Sequence, residues 1–199
     1  MKRNFFNLLV LTVAAMFSLQ AFAFPPLKFK VDGSASTMEW VARKITGKHN
    51  GFVKVSSGEV VMDGAMLKSG TFQIDMTTLT VEDIKDPGTN GKLLGHLKSD
   101  DFFSIANHPT ATFVVGSVAL KGGSTYTVKG KLTIKGITQD IEFPADITVS
   151  GKTMKATADI KVDRTKFDIK YRSSNFFENL GDKAIYDDFD LKVSLVANL

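Results

Sequence analysis

From Tyr126 onward the chain alternates with a period of two. Tyr126, Val128, Leu132 and Ile134 share one face with Gly130, while Thr127, Lys129, Lys131 and Thr133 occupy the other. Over 137–149 the apolar positions are Ile137, Ile141, Phe143, Ala145, Ile147 and Val149, set against Thr138, Asp140, Glu142, Asp146 and Thr148. Segment 154–162 opposes Met154, Ala156, Ala158, Ile160 and Val162 to Lys155, Thr157, Asp159 and Lys161, and 189–197 opposes Phe189, Leu191, Val193 and Leu195 to Asp190, Lys192 and Ser194. Each reads as a strand with one wet and one dry face. The first half is noisier and predicts strands over 28–32, 37–46, 52–62, 66–78 and 111–120. Asn50-Gly51 predicts a type I′ hairpin because both residues tolerate positive φ. Gly122-Gly123, Lys135-Gly136 and Ser150-Gly151 mark further turns.

About eight or nine strands joined mainly by short connections make an antiparallel meander. A sheet with one dry face must cover that face, and closing on itself does so while removing the edges. About eight strands then enclose room for side chains or one slender ligand. The expected fold is all-β: a closed antiparallel β-barrel of about eight strands; a two-sheet sandwich satisfies the same alternation. The small inward positions Gly130, Ala145, Ala156 and Ala158 point to an interior that side chains do not fill completely.

The alternation breaks near residues 82–105, where a short helical excursion is expected. Asp86-Pro87-Gly88 reads as a turn, Asn90 as a helix cap, and Leu93, Leu94 and Leu97 as the buried side of the helix. Ser99 or Asp100 would cap a second turn carrying Phe102 and Phe103, and Pro109 releases the chain into the next strand. Asp100 and Asp101 are neighbours, so their side chains diverge and do not form an acid–base pair. His96 and His108 lack the spacing of a local metal motif, and no metal site is expected. The excursion reads as architecture, a plug on a barrel end.

The ends and the composition set the compartment. Lys2 and Arg3, the apolar run Leu8–Phe17 and Ala21-Phe22-Ala23 have the layout of a cleavable signal peptide. The apolar run is about half the length of a membrane-spanning helix. Residues 1–23 are thus expected to leave a single domain over 24–199, exported to a periplasm. Removing them takes away Lys2 and Arg3 and no acid, lowering the formal charge from +4 to +2. So weak a positive charge argues against nucleic acid as a partner. The chain has no cysteine, which excludes disulfides, thiolate metal sites and cysteine nucleophiles.

Five blocks carry a resemblance to a known family. "VDGSAS" (31–36), "HLKSDDF" (96–102), "HPTATF" (108–113), "GKLTIKGIT" (130–138) and "DRTKFDI" (163–169) resemble the signature of the YceI-like family. The resemblance covers essentially all of 24–199. It implies a secreted, lipocalin-like barrel with a helical excursion, whose interior holds a long amphipathic molecule such as an isoprenoid chain or isoprenoid quinone. Relatives often carry histidine where this chain has Ala35, and another in the second strand where it has Lys44 in "WVARKITGKHNG". The stretch "GKHNG" resembles a variant branch of the family.

Two groups of candidate site residues follow. Trp40, Phe72, Ile74, Met76, Phe113, Leu132, Ile134, Phe143, Phe189 and Leu191 are expected to form the dry wall, as core and as ligand-binding lining. Burying about 400 Å² of a hydrocarbon tail against such a wall would supply roughly 10 kcal/mol before the costs of association. The irregular stretch 163–184 interleaves Arg164, Lys166, Lys170 and Arg172 with Phe167, Tyr171, Phe176 and Phe177. That mixture suits a portal where a polar head stays outside, an ordinary packed loop, or a transient contact with a membrane surface. His49 is a further candidate for the polar head. No catalytic motif appears, so the expectation is a non-enzymatic carrier of an amphipathic lipid with no cofactor, as a monomer or a homodimer. The rival reading is an enzyme acting on such a lipid, or a filled barrel serving as a stress or interaction module.

Overall fold

The alternating segments are strands in the computed structural model, which describes residues 25–64 and 66–199. The expected signal segment 1–23 lies outside them. The strands are β1 (Leu27–Val31), β2 (Thr37–Lys44), β3 (Gly47–Phe52), β4 (Lys54–Asp63), β5 (Met66–Asp75), β6 (Thr110–Gly122), β7 (Thr125–Ile134), β8 (Ile137–Ser150), β9 (Thr153–Asp163) and β10 (Ile185–Asn198). Helix α1 (Pro87–Lys98) interrupts them between β5 and β6.

The hairpins joining β6 to β9 turn where glycine accepts a left-handed backbone. Gly123, Gly136 and Gly151 have φ of 58°, 75° and 59°, and Lys135 precedes Gly136 with φ of 52°. Asn50-Gly51 is a correction: it lies inside β3, and the β2–β3 turn falls at Ile45-Thr46. Glycine is needed at 51 because a Cβ there would stand 2.0 Å from the Thr80 carbonyl oxygen. A close approach of two backbones, rather than a turn, accounts for it.

All pairings are antiparallel, in the order β1-β4-β5-β6-β7-β8-β9-β10-β2-β3, with β1 also paired to β10. β1 and β2 are successive halves of one stave, both lying against β10, and β3 and β4 are successive halves of the next. The result is a closed eight-stranded antiparallel barrel. Closure, rather than the sandwich, is how this sheet covers its dry face. The inward set Trp40, Ile74, Met76, Leu132, Ile134, Val162 and Phe189 packs as one apolar cluster with Leu79, Val81, Leu97, Phe102, Ile105, Phe167 and Ile169. The latter residues belong to the two long connections, 76–109 and 164–184, which close the same end of the barrel.

The first connection caps differently from expectation. Asp86, not Asn90, is the N-cap of α1: its carboxylate accepts from the Thr89 N–H at 2.8 Å, with Pro87 opening the helix. Asn90 instead donates to the Val81 and Ile84 carbonyls at 2.8 and 2.9 Å, tying the helix to the preceding strap. Ser99 ends the helix, donating to the His96 carbonyl at 2.8 Å. Residues 100–107 make non-helical turns that bury Phe102 and Ile105.

The second connection is held by Arg164. The residue is 4% exposed. The guanidinium donates to the carbonyls of Ile169 (2.7 Å), Ile185 (3.0 Å) and Tyr186 (3.1 Å) and pairs with Asp187 at 3.3 Å. Burial lowers its pKa, while Asp187 and Asp163 act in the opposite sense. One planar fork thus spans both ends of the 164–184 loop, which a lysine cannot do.

Three outcomes follow. Leu132→Asp buries an unpaired charge in the main cluster and should abolish soluble, folded protein. A soluble variant with unchanged Tm would refute the inward assignment. Arg164→Lys leaves carbonyls of the loop unsatisfied and should lower the unfolding free energy by about 2–4 kcal/mol in a urea titration. Asp190 is held below the ordinary aspartate value of 3.8 by hydrogen bonding to Arg43, against burial, with help from Lys161 at 3.2 Å. Its contribution is complete above that value and is lost as pH falls through the lower folded-state pKa. Asp190→Asn should therefore flatten the loss of stability below about pH 4, read as Tm against pH.

Candidate functional site

The barrel encloses an apolar cavity of about 190 Å³. All ten wall residues expected from the alternation line it. Phe72 stacks on Phe113 with ring centres 6.2 Å apart, and Phe113 meets Phe143 at 5.4 Å. Phe189 takes the edge of Phe103 at 6.4 Å. Ile74, Met76, Leu132, Ile134 and Leu191 fill the spaces between, and Trp40 fixes its ring by donating Nε1–H to the Thr80 carbonyl at 3.0 Å.

Small residues keep the bore open. Ala145, Ala156 and Ala158 all line the cavity. Gly130 works differently: a Cβ there would stand 2.4 Å from the Val114 carbonyl oxygen and 2.6 Å from the Phe113 ring, so its missing side chain is the space that Phe113 occupies. A 190 Å³ space is larger than the roughly 150 Å³ apolar cavity that stays dry and takes up benzene. It is smaller than the roughly 300–1,000 Å³ of pockets that swallow a drug-sized ligand whole. It fits part of a slender hydrocarbon.

The residues expected at a portal separate into two groups. Arg164 and Phe167 are corrections: both are buried, Arg164 as the loop clamp and Phe167, 1% exposed, in the main cluster. A guanidinium hydrogen-bonded to three carbonyls has no reach to a solvent-side head group. Lys166 and Arg172 are exposed on the 164–184 loop, Lys170 is half-buried, and Tyr171 is half-buried against the main cluster. Lys166 gives its carbonyl to Gln139 at 3.0 Å; Lys170 pairs with Asp168 at 2.7 Å and lies 5.1 Å over the half-exposed Phe176 ring. The Arg172 guanidinium is 5.1 Å from the Tyr171 ring. Tyr171 packs on His96 and Phe102 at 4.5 and 5.6 Å, joining the two connections, and Lys135 bonds the Asp100 and Asp168 carbonyls across them. This end is a stopper, not a mouth.

His49 lies on β3, half-buried, with Nδ1 2.8 Å from Asp83. Burial acts to raise the Asp83 carboxyl, yet the Asn50 N–H and His49 together hold it below the usual carboxylate range. The pair ties β3 to the strap leading to α1. Ala35 and Lys44, the positions where relatives often carry histidine, are exposed and half-buried respectively. Neither lines the cavity.

The chemistry available inside is sparse. Apart from Arg164, Thr157 and Tyr186, the lining is apolar, the Trp40 N–H being spent on the Thr80 carbonyl, and the guanidinium is already occupied by its own loop. Among the described residues, no group of three or more His, Cys, Asp or Glu could hold a metal ion, and no helix is long and apolar enough to cross a membrane. The arrangement can shield an apolar chain from water.

Comparison with known proteins agrees with this geometry. A UPF0312 protein of Shewanella denitrificans is 29% identical over 108 residues, 54% of this chain and 52% of that protein. One from Pectobacterium atrosepticum is 36% identical over 56 residues, 28% of this chain and 29% of its own length. The chain spans about half the length of the first of these curated relatives. The crystal structure of BcnA from Burkholderia cenocepacia superposes with a TM-score of 0.69 at 26% identity, covering 84% of this chain and 99% of that one. A domain from Saccharophagus degradans described as polyisoprenoid-binding superposes at 0.62 with 14% identity, over 85% and 97% of the two chains, and shares the fold. The YceI-like domain profile matches residues 29–197, so the chain belongs to the YceI-like family.

Proposed function

We propose that this barrel is a non-catalytic carrier or store for an amphipathic isoprenoid lipid, a polyprenyl chain or an isoprenoid quinone. The observation that carries the reading is the cavity itself: a closed sheet whose inward face is hydrocarbon and whose centre is unfilled. Hydrocarbon burial alone then supplies affinity, without directed chemistry. The fold shared with a polyisoprenoid-binding domain supports the same ligand class.

An enzymatic reading would need polar groups converging inside the bore. Arg164 is the charged residue of the lining, and it holds the loop. The signal-peptide layout of residues 1–23 supports export to the periplasm, where such a lipid would need a chaperone between membranes. Phe176, half-exposed beneath Lys170, and the equally exposed Phe177 support brief contact with a membrane surface.

The test is direct. Protein purified from the cell envelope and extracted with organic solvent should yield a stoichiometric isoprenoid lipid by mass spectrometry. Delipidated protein should bind a short-chain isoprenoid quinone with a Kd of about 10 μM or tighter, the affinity equivalent of roughly 7 kcal/mol. Trp40, the single tryptophan of the chain, lines the cavity and reports binding by quenching. Recovery of no lipid together with no quenching would overturn the reading.

A further inference from the structure

Most of the wall is laced by ladder hydrogen bonds, but the ladder between β8 and β9 stops short. β8 pairs with β9 only from Asp146↔Thr157 to Ser150↔Thr153. Beyond that fork, 137–145 of β8 pairs with β7 alone, and 158–163 of β9 pairs with β10 alone. Pro144 stands just past the fork. Proline has no N–H to give and is confined to strand edges and bulges, so it marks β8 there as an edge. The seam is bridged by side chains instead: Ile141, Phe143, Ala158 and Ile160 pack on one another's cluster, and Gln139 reaches the Lys166 carbonyl at its far end. Apolar contacts without ladder bonds make a soft closure.

A groove of about 330 Å³ lies on the outside of the same fork, lined by Glu39, Asp146, Thr157, Asp159, Lys192 and Ser194 among others. Thr157 and Ala158 line both the groove and the cavity. A ligand longer than the cavity must leave one end outside, and the stoppered end of the barrel offers no way out. β5 and β6 also part company, above Thr71↔Val114. That gap is narrow where it opens: a Cβ on Gly70 would stand 3.2 Å from a Val115 methyl, which leaves little space between the strands at that step.

Resting on the carrier reading, we propose that the lipid tail reaches the cavity sideways through the β8–β9 seam, leaving a neutral, hydrogen-bonding head in the outer groove. The groove's charges select that class. Three carboxylates, Glu39, Asp146 and Asp159, face one ammonium, Lys192, so a hydroxyl, phenol or quinone is accepted and a phosphate is repelled. Thr157 and Ser194 supply the hydroxyl partners.

The chain lacks cysteine, so an introduced pair is uniquely reactive. Glu142→Cys with Lys161→Cys places thiols on the outer side of the seam, at positions that would be partners if the ladder continued. These are joined with a short bis-maleimide. The comparison variant, Lys68→Cys with Ser117→Cys, bridges the β5–β6 gap in the same way. Stopped-flow quenching of Trp40 by a short-chain isoprenoid quinone measures association. Bridging the β8–β9 seam should slow it at least ten-fold, and bridging β5–β6 should leave it unchanged. Farnesyl phosphate should displace the quinone at least ten-fold more weakly than farnesol. An undiminished rate with the β8–β9 bridge, or slowing only with the β5–β6 bridge, overturns the lateral route while leaving the carrier reading intact. Equal displacement by alcohol and phosphate overturns the head-group site. No quenching in the unbridged protein overturns the carrier reading and the route together.

Discussion

Closure by β10 is the constraint on which everything else depends. This strand bonds to β9 along nearly its whole length, to β2 over Ile185–Ser194 and to β1 through Ala197 and Asn198. Without the bonds to β2 and β1 the sheet would keep a dry face open to water and two edges open to other chains. With them, one face becomes an interior. Its volume follows from which side chains the sheet turns inward.

That interior is empty for a specific reason. A barrel of eight staves can be filled by its own side chains, and the large residues Trp40, Phe72, Phe113, Phe143 and Phe189 go far toward doing so. The alanines of β8 and β9 also face the cavity and leave the remainder unfilled. The stopper adds a second condition. Two connections from different parts of the chain interlock through Tyr171, His96 and Phe102, and the Arg164 fork holds one of them to β10. A dry space sealed at one end and soft along one side is suited to taking up a tail rather than a compact molecule.

Much of this was legible in the chain. Period-two alternation located β7, β8 and β9 to within a residue, because each has one face in water and one in hydrocarbon, whereas β10 begins at Ile185, four residues before the alternation becomes regular at Phe189. The inward aromatics followed from the same pattern. The misreadings share a cause, which is that local rules were applied where tertiary contact decides. Asn50-Gly51 has turn chemistry, yet Gly51 answers to the Thr80 carbonyl. Asn90 has cap chemistry, yet its amide is drawn to two carbonyls of the strap while Asp86 caps. Arg164 in "DRTKF" looks like a surface cation, and nothing local reveals the carbonyls that await it. Pro144 was the one sequence signal for the seam: a proline within an alternating strand announces an edge even when the topology seems to leave none.

The choice of arginine for the loop clamp has a consequence for where the protein can work. A histidine or lysine in that interior would surrender its proton somewhere in the range cells encounter, and the stopper would loosen with it. A guanidinium, even lowered by burial, keeps its charge throughout. The clamp on the sealed end therefore keeps its charge whatever the acidity around it.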